Sequence, residues 1–334
     1  GVIASSAGNH AQGVALGAKM TGINATIVMP ATAPLAKVTA TKGYGAEVVL
    51  NGLVYDDAYA KAVEIQKETG ATFLHPFNDK YVIAGQGTIG LEILEQLDGK
   101  VDTILCPIGG GGIIAGIAVA AKGINPNIKI VGVQTANIPS MQESMKNGEV
   151  TTAFKSTTIA DGIAVKTPGD VTFEIINELV DEVVVVEEDE IAQGMLFLME
   201  NQKVVAEGAG AVTTAALLSG KYVPKKDENV VCVISGGNVD VNTLYRVIGT
   251  ALTKEARRYS FNTVIQDKPG GLAELTKIIS EYDANILSAN LSRSSMGGAL
   301  GSLTAEMVLE TFNHDHIDKL KVAITEAGFE IVEI

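Results

Sequence analysis

Cysteine, positive charge and aromatic side chains are scarce in this chain, and each scarcity narrows what the protein can be. The only two cysteines, Cys106 and Cys232, stand inside apolar runs and fit neither a disulfide framework nor a zinc-ligand spacing. We therefore expect buried thiols in a reducing, cytoplasmic compartment. The 25 Lys and Arg against 39 Asp and Glu give a net charge of -14, which argues against binding nucleic acid or anionic membranes.

Long uninterrupted apolar runs are also missing. The run 104–121 is broken by Pro107 and by the glycines 109–112 into a strand, a turn and a helix, so we predict no membrane span. No signal peptide is visible. What remains is a chain of 334 residues, 46% hydrophobic with 36 glycines, which is typical of soluble α/β proteins with tight strand-to-helix turns.

Short β-branched runs alternate with helical patterns up to Arg257, where we place a domain boundary. The runs are apolar without alternation, which predicts parallel sheets covered on both faces. Residues 258–334 follow a βαββαβ order, as in ferredoxin-like domains, with a hairpin or longer turn at 294–301. The predicted strands are 1–4, 25–29, 47–50, 71–74, 101–106, 128–133, 183–186, 230–234, 260–266, 285–292, 303–310 and 329–334; the predicted helices are 34–42, 56–69, 81–97, 113–122, 189–201, 208–218, 242–257, 271–282 and 315–327.

Four consecutive glycines, 109–112, separate a strand from a helix. Glycine lets backbone N–H groups point into one concavity at the positive end of a helix, which favours a bound phosphate over a turn needed only for packing. The glycines also fit the dinucleotide pattern G-x-G-x-x-A, but the next strand ends at Gln134 where an acidic residue is expected. The sequence contains no P-loop motif, so a cofactor with a single phosphate is favoured.

Three predicted strands end in unusual turns: SSAGNH at 5–10, the glycines 109–112, and SGGN at 235–238. Ligands of parallel sheets gather at the carboxyl ends of the strands. If the three turns belong to one sheet system, they line one crevice. By contrast, the acidic block 187–190 is typical of a solvated helix start.

These three turns, in this order, resemble the fold-type II enzymes of pyridoxal 5′-phosphate, and specifically the threonine/serine dehydratases (threonine ammonia-lyases). The stretches 34–37, 84–88 and 158–162 match that family as well, and residues 259–334 resemble a single ACT regulatory domain. The resemblance implies a tryptophan synthase β-like core with a small subdomain of about 1–97 and a large one of about 98–257.

The resemblance also implies roles for individual residues. Asn9 would bond the phenolic oxygen of the cofactor, Ser235 would meet its pyridine nitrogen, and Ser6 would bind the substrate carboxylate. Glu207 lies near the cofactor in that picture, but it equally fits a carboxylate stabilised at a helix N-terminus, and both interpretations stay open. The phosphate would be held by Gly109, Gly110, Gly111 and Gly112.

The implied reaction removes water from L-threonine or L-serine and gives 2-oxobutanoate or pyruvate and ammonia. A serine beside the ring nitrogen cannot hold it protonated as a carboxylate would, which suits elimination over transamination. Another fold-type II β-elimination or β-replacement activity, and a non-catalytic amino-acid sensor, are the alternatives.

The family carries its Schiff-base lysine in a Ser-Phe-Lys-type motif upstream of the SSAGNH turn, and no such motif occurs here. Lys19, Lys37 and Lys42 lie in helical stretches, so we expect the lysine in a segment before Gly1. Related serine racemases carry acidic metal ligands in the stretch that matches 134–140. This chain has no carboxylate there, so no metal site is expected. Ala7 replaces a racemase serine, which disfavours racemisation.

In the last domain, the turn with Asp267, Gly270 and Gly271 precedes a helix, where backbone N–H groups can take a carboxylate. By resemblance, this turn would bind an amino-acid or nucleotide effector, and paired ACT domains would make the protein a homo-oligomer, a dimer or a tetramer. The alternative is a plain turn in a domain that only dimerises.

Overall fold

The computed structural model describes residues 1–154, 157–293 and 301–333. Contacts divide the chain into two compact units, Gly1–Leu244 and Tyr245–Ile334. This division lies within helix α10 (Val241–Lys254), whereas the change in sequence character predicted a boundary at the end of that helix, near Arg257.

The first sheet is parallel, with its strands in the order β3-β2-β1-β4. Its central strand β1 pairs with β2 so that Ala4 lies opposite Ile27, and both side chains are fully buried. Left-handed glycines end two of its helices, which confirms the helix end predicted at Gly70. The elements are β1 Val2–Ser5, α1 Asn9–Thr21, β2 Ala25–Met29, α2 Leu35–Gly43, β3 Glu47–Leu50, α3 Tyr55–Thr69 and β4 Thr72–Phe73.

A second sheet is also parallel, in the order β7-β6-β5-β8, so the prediction of an α/β unit with parallel sheets is confirmed. Its strand β5 is buried along its whole length, as its apolar sequence requires. The elements are α4 Lys80–Gln96, β5 Thr103–Pro107, α5 Gly112–Ile124, β6 Lys129–Thr135, α6 Ser140–Asn147, α7 Asp170–Leu179, β7 Glu182–Val186, α8 Glu188–Phe197, a π-helical turn Leu198–Gln202, α9 Gly208–Leu218 and β8 Val230–Cys232.

Helices α4 and α5 touch through their backbones. A Cβ built on Gly116 would overlap the carbonyl oxygen of Ile83, and one built on Gly87 would lie 3.0 Å from the carbonyl oxygen of Gly116. Such close packing leaves little freedom for either helix to slide. It therefore fixes the start of α5, where the four glycines stand.

The second unit has the βαββαβ order expected from the sequence. Its antiparallel sheet has the strand order β10-β11-β9-β12, and two helices cover one core that contains Phe261, Leu275 and Leu320. Most of the turn expected at 294–301 lies outside the described residues. The elements are β9 Arg258–Gln266, α11 Gly271–Glu281, β10 Asn285–Ser292, β11 Ser302–Glu310, α12 His314–Glu326 and β12 Ile331–Glu333.

Both cysteines are free. Cys106 is fully buried and Cys232 is half-buried, and burial raises the pKa of both thiols, that of Cys232 to about 11. Within the described ranges, no helix combines the length and the apolar character that crossing a membrane would take.

Candidate active site

The SSAGNH turn connects the carboxyl end of β1 to the first residue of α1. The backbone N–H of Ser6 donates to Val28 O over 3.2 Å, which extends the strand pairing by one residue. The chain then bends, and the N–H of Gly8 donates to Ser6 Oγ over 3.2 Å. Helix α1 begins at Asn9, whose side chain is exposed. The turn thus presents a hydroxyl and an amide at the edge of the first sheet.

Glu207 accepts a hydrogen bond from the Asn9 side chain. Asn9 Nδ2 donates to Glu207 Oε1 over 2.8 Å, although the two residues are 198 positions apart. Glu207 is only 4% exposed and precedes α9, but its carboxylate makes no capping bond to that helix. Burial raises the pKa of the Glu207 carboxyl, while the hydrogen bond from Asn9 lowers it.

The SGGN turn follows β8 and packs against the same pair. A Cβ built on Gly236 would overlap Glu207 Oε1 and would lie 3.0 Å from Asn9 Nδ2. The N–H of Glu207 donates to Gly236 O over 3.1 Å. Ser235, next to Gly236 in the chain, is half-buried. Two of the three turns therefore meet at Glu207.

The tetraglycine turn is enclosed by side chains that leave no room for a Cβ. At Gly110 a Cβ would overlap the ring of Phe77, and at Gly111 it would lie 2.7 Å from Ile176 Cδ1 and 2.9 Å from Thr172 Cβ. Gly111 precedes α5 with φ +98°, a left-handed conformation that favours glycine. The first N–H groups of α5 have no carbonyl one turn back, so they are free to bind an anion.

The segment 157–163 links the tetraglycine turn to the other two. A Cβ built on Gly109 would lie 2.9 Å from Ile163 Cα, and one built on Gly162 would lie 3.3 Å from Glu207 Oε1. Ile163 thus touches the tetraglycine turn, and its neighbour Gly162 touches Glu207, where the SSAGNH and SGGN turns meet. The structure brings the turns at Asn9, Gly109 and Gly236 around one place.

Two buried polar atoms at this place have no hydrogen-bond partner in the described part of the chain. They are Ser5 Oγ, directly before Ser6, and Asn238 Nδ2, at the end of the SGGN turn. Buried polar groups are normally satisfied, so two such atoms in the turns that follow β1 and β8 fit a ligand with several polar atoms. Residues 1–154, 157–293 and 301–333 hold no group of three or more His, Cys, Asp or Glu that could bind a metal ion.

Sequence reasoning missed three residues that shape the site. Phe77 and Thr172 enclose the glycines, and Thr172 Oγ1 donates to Gly110 O over 2.6 Å. Glu188 opens α8, so the acidic block 187–190 is a helix start as predicted, but the Glu188 side chain is half-buried and hydrogen-bonded instead of solvated. Its carboxylate accepts from Ile159 N over 2.7 Å and from Thr135 Oγ1 over 2.9 Å, so it fastens the linking segment. The sequence of the block did not indicate this structural role, because a run of acidic residues is typical of an exposed surface.

Comparison with known proteins agrees with this geometry. A family model described as pyridoxal-phosphate dependent enzyme matches residues 1–236. An L-threonine ammonia-lyase of Thermotoga maritima is 50% identical over 331 residues, which is 99% of this chain and 82% of that protein. An L-threonine ammonia-lyase of Geobacter sulfurreducens is 47% identical over 98% of this chain and 81% of its own length.

Solved structures show the same likeness. The processed form of threonine deaminase isoform 2 from Solanum lycopersicum superposes with a TM-score of 0.71 at 40% identity, over 75% of this chain and 73% of that one. Maize serine racemase superposes with a TM-score of 0.70 at 39% identity, over 77% and 78% of the two chains. With most of its first unit matched by the family model and its glycine-bearing turns gathered at one place, the chain belongs to the family of pyridoxal-phosphate dependent enzymes.

Proposed function

We propose that this chain carries the catalytic site of a threonine ammonia-lyase, which removes water from L-threonine, and also from L-serine, to give 2-oxobutanoate or pyruvate and ammonia. The observation that carries the proposal is the meeting of Asn9 and the SGGN turn at Glu207, beside a segment that touches Gly109. The relatives named L-threonine ammonia-lyase support it, because they match nearly the whole chain.

Each turn has a part in this proposal. Pyridoxal phosphate, when bound, supplies the electron sink for breaking bonds at the substrate Cα and Cβ. The amides of Gly109, Gly110, Gly111 and Gly112 hold its phosphate, Asn9 bonds its phenolic oxygen, and Ser235 meets its ring nitrogen. Because Ser6 Oγ already accepts from Gly8 N, its own proton is available to donate to the substrate carboxylate.

The chemistry also needs a lysine that carries the cofactor and moves the Cα proton. Lys19 and Lys42 are exposed, and the ammonium of Lys37 is held by Asp161 over 2.9 Å. None of these three lysines is therefore proposed for that role, and the full-length protein is the form in which the activity is tested.

Product analysis tests the proposed activity. The full-length protein with pyridoxal phosphate should release 2-oxobutanoate and ammonia in equal amounts from L-threonine. It should form no D-serine from L-serine, because the Ala7 methyl group cannot deliver a proton. Addition of a thiol should not divert the product into a thioether. Absence of cofactor binding, or a thioether as the main product, would contradict the proposal.

We infer that the second unit is an ACT-type regulatory domain that takes an amino-acid or nucleotide effector and pairs in a homo-oligomer. Its candidate site is the turn before α11, where Asp267 is held by Arg293 Nε over 3.1 Å and by Arg293 Nη2 over 3.3 Å. At Gly271 a Cβ would overlap the carbonyl oxygen of Gln266, so the turn is tight, and Gly270 has φ +91°. The N–H of Gly271 donates to Lys268 O over 3.1 Å, and the next N–H groups of α11 have no carbonyl one turn back, so they are the proposed donors to an effector carboxylate.

Calorimetric titration of the full-length protein with branched-chain amino acids, and separately with nucleoside monophosphates, tests this inference. A saturable heat that is lost in Asp267→Ala, with threonine turnover retained, is the expected result. If neither class of ligand binds, or if the substitution leaves binding unchanged, this turn is not the effector site.

A further inference from the structure

An ion pair joins the two parallel sheet systems next to Glu207. Lys37 Nζ lies 2.9 Å from Asp161 Oδ2; Lys37 belongs to α2 of the first sheet system, and Asp161 to the linking segment 157–163 of the second. The Lys37 side chain is 15% exposed and that of Asp161 is 60% exposed, so the pair stands at the rim of the site.

The segment that carries Asp161 is firmly held on its own side. Glu188 accepts from Ile159 N over 2.7 Å, and a Cβ built on Gly208 would overlap the carbonyl oxygen of Ile159. One residue beyond Asp161, Gly162 lies against Glu207 and Ala209. The position of Asp161 is therefore fixed, and its ion pair fixes the position of the Lys37 ammonium.

Two polar contacts join the first sheet system to the second. The inner one runs from Asn9 Nδ2 to Glu207 Oε1, and the outer one from Lys37 to Asp161. Asn9 and Lys37 stand on α1 and α2, neighbouring helices of the first sheet system, while Glu207 and Asp161 flank Gly162. We propose that Lys37 and Asp161 are positioning residues, whose ion pair keeps Asn9 within hydrogen-bond distance of Glu207 and so sets the geometry of the cofactor site.

Because Lys37 and Asp161 are charged and act on Glu207, the proposal predicts changes in the pKa of the Glu207 carboxyl, which a purely structural support would not cause. The charged groups that act on the Glu207 carboxyl are Asp161, which raises its pKa, and Lys37, which lowers it. The backbone N–H of Asn238 and the Asn9 amide, which are uncharged, also lower it, and burial is the largest effect and raises it. Each single substitution should therefore change the pKa of Glu207 both through the lost charge and through the released Asn9, and only removal of both charges isolates the loss of the Asn9 hydrogen bond.

Thermal stability can report the protonation of Glu207 without any turnover. Because burial raises the folded-state pKa above the unfolded value, the stability associated with the protonated carboxyl is complete below the unfolded pKa and is lost as pH rises through the folded pKa. Glu207→Gln does not titrate. The Tm difference between Glu207→Gln and its parent should therefore grow with pH, and the pH at which this growth levels off marks the folded-state pKa.

The experiment measures this levelling-off pH in the full-length protein and in its variants. Lys37→Met should move it up by roughly half a pH unit, because the lost positive charge and the lost Asn9 bond both raise the pKa of Glu207, whereas in Asp161→Asn the two effects oppose each other. The double variant should stay above the parent value, because its two charge effects cancel and the loss of the Asn9 bond remains. Lys61→Met is the matched control, because Lys61 also forms an ion pair, with Glu64 over 2.8 Å, but does not act on Glu207. A double variant with the parent value would overturn the proposal, because the pair would then act on Glu207 by charge alone and not by holding Asn9 in place.

A kinetic arm separates this inference from the proposed function on which that arm rests. Each single variant should lower kcat/KM for threonine by about tenfold, and the charge-swapped Lys37→Asp/Asp161→Lys protein should recover most of it. Recovery is the expected result, and a swapped protein no better than the single variants would contradict positioning. If the parent protein did not act on threonine, the proposed function would fail, while the levelling-off pH of the double variant would still decide whether the pair holds Asn9 against Glu207.

Discussion

Replacing Gly111 by alanine should weaken pyridoxal phosphate binding by at least about thirtyfold. A non-glycine residue in a left-handed conformation costs about 1–2 kcal/mol, and forcing a methyl group into a packed site costs about 1–3 kcal/mol more. Gly111 meets both conditions, since its φ is +98° and its Cβ would lie 2.7 Å from Ile176 Cδ1. The turn must shift to relieve this strain, and its N–H groups then no longer converge on the phosphate.

Titration of the apo form of the full-length protein with pyridoxal phosphate, followed by absorbance, measures this effect. Gly123→Ala is the matched control, because Gly123 belongs to the same helix and its Cβ would meet nothing within 4 Å. That variant should bind the cofactor normally and gain about 0.8–1 kcal/mol of stability. Circular dichroism shows whether Gly111→Ala is folded. A folded Gly111→Ala protein with normal affinity would refute the phosphate role of this turn.

Replacing Asn9 by alanine should lower kcat/KM for threonine by between about tenfold and a hundredfold. A hydrogen bond to a charged group contributes about 1.5–3 kcal/mol, and loss of the Asn9 amide leaves the buried Glu207 carboxylate with one donor fewer. Because that hydrogen bond lowers the pKa of Glu207, its loss should raise the pKa further. The acidic limb of the pH–rate profile should then move to higher pH if ionised Glu207 is needed for turnover.

Steady-state kinetics across the pH range, together with the absorption spectrum of the bound cofactor, check this expectation. Asn201→Ala serves as the control, since the exposed Asn201 amide also donates one hydrogen bond, to Phe197 O over 3.1 Å, outside the site. An Asn9→Ala protein with the spectrum and rate constants of the parent would show that Asn9 does not face the cofactor.

Local patterns were enough to predict most of the first unit. The strand at 25–29 and the helix at 208–218 were placed at their observed bounds, because an unbroken apolar run and a small-residue run between clear ends carry the information locally. Helices α6 (Ser140–Asn147) and α7 (Asp170–Leu179) were not predicted. Both are short, and their polar starts hid the few apolar positions that each buries.

The turns of the site could be found from the sequence because parallel strands end at one edge of a sheet. Their contacts could not be found in that way. The bond between Asn9 and Glu207 spans 198 positions, and the ring of Phe77 reaches Gly110 from a different sheet system. Such contacts follow from how the two sheets pack, which no local pattern contains. The role of Glu188 was missed for the same reason, since its partners Thr135 and Ile159 come from other segments.

A crystal structure of the full-length protein with pyridoxal phosphate tests the central claim most directly. We expect the phosphate on the backbone N–H groups of residues 109–112, with the ring between the Asn9 amide and the Ser235 hydroxyl. A cofactor bound elsewhere, or one that any of Asn9, Gly111 or Ser235 fails to touch, would contradict the account.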